Sequence, residues 1–182
     1  MTAIAGGRGC QRRRGVAMLL RPGRLAVFLI ALSLIAHSRP TEAQWRVNGL
    51  PVCTAESLQD SPGLIVDCEG NAIVSWRDIR SSSYIYAQGV NADGVVQWTA
   101  DGVPLASGRP IQWDPQLVSD GAGGAIVTFV GFAPPFFRIF AQRVNGDGVP
   151  QWGAEGVMLS GRPGYFPQLI SDGEGVSTPI EK

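Results

Sequence analysis

The sequence has little with which to do chemistry. Its single histidine, His37, falls within the first forty-odd residues, so the rest of the chain lacks the usual general base beside a nucleophilic serine or cysteine. No glycine-rich phosphate loop follows a strand and opens a helix, which argues against nucleotide chemistry. Beyond residue 43 no stretch carries helical periodicity. Cysteine is scarce, at three residues. The leading apolar run, residues 25–36, is shorter than the roughly 20 residues that a bilayer-crossing helix needs.

What the first 43 residues do have is the grammar of export. Arg8, Arg12, Arg13, Arg14, Arg21 and Arg24 form a basic region, the apolar run follows, and Thr41-Glu42-Ala43 offers small residues to a signal peptidase. Cleavage is expected after Ala43, with Met18 as an alternative start. Seven of the 15 basic residues but one of the 15 acidic ones precede Gln44, leaving eight basic against 14 acidic groups, a net charge of about −6. An acidic exported domain without a basic stripe is a poor partner for nucleic acid or anionic membranes.

The positive signal is a repeat. Gln88-Gly89-Val90-Asn91-Ala92-Asp93-Gly94-Val95-Val96-Gln97-Trp98 returns, 54 residues later, as Gln142-Arg143-Val144-Asn145-Gly146-Asp147-Gly148-Val149-Pro150-Gln151-Trp152. Trp45, Trp98 and Trp152 keep the phase, as do Pro62, Pro115 and Pro167, and Asp67, Asp120 and Asp172. A unit of about 53 residues cannot bury its own apolar surface, so a period of this length marks stacked supersecondary units. The chain divides into a leader (1–43), the end of a partial repeat (44–61), two repeats (62–114 and 115–166) and a truncated one (167–182). In that last part Ser177-Thr178-Pro179-Ile180 stands where Ala125-Ile126-Val127-Thr128 stood before, and it is not expected to supply the strand.

Each repeat reads as four short strands, in the second copy 116–119, 125–130, 138–144 and 149–159 with an irregularity at Gly156. Asp120-Gly121-Ala122-Gly123-Gly124 and Asn145-Gly146-Asp147-Gly148 part the strands with residues that tolerate positive φ. The expected fold is all-β, built of four-stranded antiparallel blades like those of a propeller, about two and a half of them. Propellers usually have four to eight blades, because open arrays expose edges. Self-association to complete a ring, or a fragment of a longer array, would answer that.

The pattern Pro115, Ser119-Asp120-Gly121-Ala122-Gly123-Gly124-Ala125-Ile126-Val127, Ile139-Phe140-Ala141-Gln142-Arg143-Val144-Asn145 and Trp152 resembles the repeats of large bacterial secreted β-propeller-like proteins. The resemblance covers residues 44–175 and implies a propeller fold and a secreted or cell-surface location. It implies no activity.

Several residues are candidates for more than scaffold. Cys53 and Cys68, 15 apart, could form a disulfide in an oxidising compartment; against it, Cys68 stands where the other copies have Gly121 and Gly173, a position suited to positive φ. The Asp-Gly turns invite a calcium reading, but Asp93 and Asp147 lack further acidic ligands at alternating positions, and turn chemistry accounts for them. In a four-stranded meander successive loops alternate between two ends. One end should then carry Asp93, Asp120 and Asp147, and the other should gather Trp113, Phe136, Phe137, Tyr165 and Phe166 with Arg109 and Arg162. Aromatics beside hydrogen-bonding cations suit a glycan or peptide partner. The function expected is non-catalytic surface interaction or adhesion through that loop face. The alternative is part of a secreted propeller enzyme acting on polysaccharide.

Overall fold

Strands form where apolar and β-branched residues run between glycine-rich turns, and the computed structural model places ten of them: β1 (Gln59–Val66), β2 (Ala72–Asp78), β3 (Tyr84–Val90), β4 (Val103–Pro104), β5 (Gln112–Ser119), β6 (Ala125–Ala133), β7 (Phe136–Val144), β8 (Val157–Met158), β9 (Gln168–Ser171) and β10 (Ser177–Ile180). The structure describes residues 49–67 and 70–171, and the backbone of 177–180. The leader, Trp45, Cys68, Asp172 and Gly173 lie outside the described residues, so the cleavage site and the Cys53–Cys68 pairing do too. Among the described residues there is no helix.

β1–β4 make one antiparallel meander and β5–β8 a second, each with the four-stranded order of a propeller blade. The two sheets repeat down to their irregularities. The β1–β2 register slips between Asp60 and Gly63, and the β5–β6 register slips 53 positions later, between Trp113 and Gln116. At each slip a residue adopts positive φ before a proline, Ser61 before Pro62 and Asp114 before Pro115. Proline removes a ladder donor and is therefore confined to edges and bulges; β1 and β5 are the edge strands of their sheets.

The core lies between the two sheets. Ile73, Ile85, Ala87, Leu105 and Ala106 meet Ala125, Val127, Phe129, Phe140 and Val144 there. β6 is buried along most of its length, which explains why Ala125-Ile126-Val127-Thr128-Phe129-Val130 reads as a continuous run rather than an alternation.

Two expectations are corrected. The fourth strand does not run through 149–159. Pro150 bridges Val144, then the chain leaves the sheet and returns only as β8, Val157–Met158. The excursion is held by a buried amide: Gln142 Nε2 donates to Gly153 O at 2.7 Å and Leu105 O at 2.9 Å, while its Oε1 accepts from Trp152 N at 2.8 Å. The second correction concerns the C-terminal segment. Ser177–Ile180 does form a strand and pairs antiparallel with β9, Pro179 opposite Leu169. A proline is compatible with that pairing because the sheet has two strands, both edges.

Candidate functional site: an aromatic rim at one end of the sheets

Antiparallel order fixes which loops share an end. The β1–β2, β3–β4, β5–β6 and β7–β8 connections lie at one end, with Asp93, Asp120 and Asp147. The β2–β3, β4–β5, β6–β7 and β8–β9 connections lie at the other. The β6–β7 loop is shorter than the sequence implied: β6 and β7 extend to Ala133 and Phe136, leaving a Pro134-Pro135 turn with a cis peptide.

At this second end the aromatics form a row. Trp113, at the start of β5, meets Phe137 edge to face at 4.5 Å between centroids; Phe137 lies 5.0 Å from Phe132 and 6.4 Å from Tyr165, and Tyr165 lies 6.5 Å from Phe166. Phe137 and Trp113 are half-buried and anchor the row. Phe136 (49% exposed), Tyr165 (50%) and Phe166 (77%) carry it into solvent. Phe132 was missed by sequence reasoning, although it lies in the segment that supplies Phe136 and Phe137.

Phe166 has a backbone φ of +55°, an uncommon conformation that is a genuine outlier for a bulky residue. It precedes Pro167, as Ser61 precedes Pro62 and Asp114 precedes Pro115 at the same φ in the other repeats. The conformation belongs to the repeat, but a ring there does not.

The arginines do not join the row as free cations. Arg109 lies 4.2 Å over the Phe140 ring, donates to Phe132 O at 2.9 Å and pairs with Glu155 at 2.5 Å. Arg138, which was not anticipated, donates through Nη1 to Gly161 O. Arg162 is exposed, and its backbone N–H donates to Ser160 Oγ at 3.2 Å.

A polar network in the first sheet was also invisible in the sequence, because its members are spread over residues 53–101. Asp78 is fully buried and accepts from Trp76 Nε1 at 3.1 Å, Arg80 N at 2.9 Å and Arg80 Nη2 at 2.6 Å. Burial pushes its pKa up, but these hydrogen bonds outweigh that and hold the carboxyl at about 2. Arg80 also donates to Asp101 O at 2.9 Å and to Cys53 Sγ at 3.2 Å, and stacks 4.3 Å over Tyr86. A carboxylate saturated by donors and ionised at all working pH values is no general acid or base; the network is structural. Arg80 over Tyr86 has its equivalent in Arg109 over Phe140, one repeat on.

Among the described residues no group of three or more His, Cys, Asp or Glu is placed to hold a metal ion. Asn91 Oδ1 accepts from Asp93 N and Val95 N, and Asn145 Oδ1 from Asp147 N and Val149 N, so the Asp-Gly turns are closed by asparagine and hydrogen-bonded backbone. No helix of the described residues is long and apolar enough to cross a membrane.

No family model matches the chain, and no curated protein does. Among solved structures it is similar to an endo-arabinase from Bacteroides thetaiotaomicron, with 16% identity and a TM-score of 0.44 over 70% of this chain and 52% of that one. The chain thus spans about half the length of that enzyme, and a likeness at this level carries no argument.

Proposed function

We propose that the protein is an exported, non-catalytic adhesion module that binds a neutral glycan on the aromatic rim. The observation that carries this reading is Phe166, a strained and 77% exposed ring where the other repeats place serine and aspartate. Backbone strain of this kind persists where the surroundings enforce it and clusters at binding sites. Tyr165 and Phe136 extend the exposed apolar surface on the same rim. Arg109 and Arg138 are engaged by carbonyls and Glu155, which leaves a surface suited to stacking on sugar faces rather than to neutralising an acidic polymer.

Affinity electrophoresis through gels holding xylan, arabinan, mannan or chitin oligosaccharides tests this. Retardation is expected in at least one, and Tyr165→Ala or Phe166→Ala should weaken it by about 1–3 kcal/mol, the range of an anchoring aromatic, at unchanged thermal stability. Migration unaffected by every polysaccharide, or retardation that survives both substitutions, would refute the reading.

A further inference from the structure

The contact between the two sheets supplies a template. Trp98 lies on the turn of the second sheet: its Nε1 donates to Gly146 O at 2.9 Å, and a Cβ at Gly148 would stand 2.5 Å from the indole, so glycine is required beneath the ring. Beside it Val103 and Leu117 pack onto the shared core. Each half of this contact recurs one repeat away with its surface exposed. Trp152, Val157 and Met158 correspond to Trp98, Val103 and Pro104, and all three are exposed, Trp152 by 37%. Leu64 corresponds to Leu117 and is exposed; Gly94 corresponds to Gly148, and a Cβ built there meets nothing within 4 Å.

The vacant turn is already shaped for the ring. Gly94 and Gly148 have φ of +74° and +78°. Asn91 Oδ1 accepts from Asp93 N at 3.1 Å and Val95 N at 2.8 Å, and Asn145 Oδ1 makes the same two bonds at the same lengths to Asp147 and Val149. One chain therefore exposes both the tryptophan and the cradle, on opposite sides of its two sheets.

We infer that a second copy of this chain docks head to tail, Trp152 of one copy seated on the Asn91–Gly94 turn of the next, with Val157 and Met158 against Leu64. Such a contact is heterologous: each copy uses two different patches, so association continues beyond the dimer unless it closes. This does not depend on glycan binding at the rim.

Sedimentation velocity of the purified full chain and two variants tests it. The wild type is expected to self-associate with concentration. Trp152→Ala removes the ring, and Gly94→Asn fills the cradle with a residue that tolerates positive φ. Each alone should weaken association at least tenfold while circular dichroism and melting stay those of the wild type. Mixed in equal amounts, the two variants should regain a dimer and nothing larger, because one intact tryptophan and one intact cradle remain between them. That pattern separates head-to-tail docking from a symmetric interface, which the mixture would not restore. A wild type that stays monomeric overturns the proposal; it is the outcome if Trp45 of the same chain, one repeat before Trp98, covers its own Asn91–Gly94 turn. Association unchanged in Trp152→Ala overturns it equally.

Discussion

Phe166 joins a costly backbone conformation to a ring that the neighbouring repeats do without. Asparagine tolerates φ near +55° better than phenylalanine does. Phe166→Asn should therefore raise stability by about 0.5–1 kcal/mol while abolishing retardation by glycan; a lower urea midpoint would show instead that the ring contributes packing. Asp78 makes the opposite trade, a buried charge held in place by its donors. Its folded pKa, about 2, lies below the 3.8 of an ordinary aspartate. The stabilisation is therefore present above pH 4 and is lost as the pH falls from about 4 towards 2, amounting to about 2 kcal/mol. Urea unfolding at pH 7, 4 and 3 checks this. Asp78→Asn should lower stability at pH 7, by leaving Arg80 buried without its anion, and should flatten the slope below pH 4; an unchanged slope would place the acid sensitivity elsewhere.

At the scale of the element, the irregular fourth strand depends on one side chain per repeat. Gln88 in β3 donates to Thr99 O and accepts from Trp98 N, as Gln142 in β7 does with Gly153 O and Trp152 N. Gln142→Leu leaves two carbonyls and an N–H without partners in a buried site and should cost about 1–3 kcal/mol per unpaired group at most, measured by chemical denaturation; a neutral effect would mean that water satisfies the loop. These amides also mark the boundary of what sequence could show. The turns around Asp120 and Asn145 and the run of β6 were legible, because glycine, asparagine and periodicity act locally. The break in the fourth strand was not, since it depends on a glutamine on the neighbouring strand. Arg109 was legible as a residue of the loop face but not as a partner of Phe140, because that contact joins a connection to a strand 31 positions away. The rim itself followed from counting strands. The inward lean of Trp113 and Phe137, and the strain at Phe166, required coordinates.

At the scale of the whole molecule, the two sheets hold one core between them and should unfold in a single transition. Calorimetric and van't Hoff enthalpies that agree for the full chain would bear this out; two resolved transitions would mean that each sheet is stable by itself. The exported protein should begin at Gln44, and intact mass of secreted material decides it, a retained 25–36 segment being the contrary result. The paired guanidinium sites bear on how such a protein changes over time. In the first sheet the cation over the β3 ring comes from the loop after β2, as Arg80; in the second it comes from the connection before β5, as Arg109. The same socket is thus filled from different addresses, and the loop relieved of that duty in each repeat is left open to substitution. Variation tolerated after β6 is not tolerated after β2, and an alignment of the repeats position by position scores as divergence what in space is a shared solution.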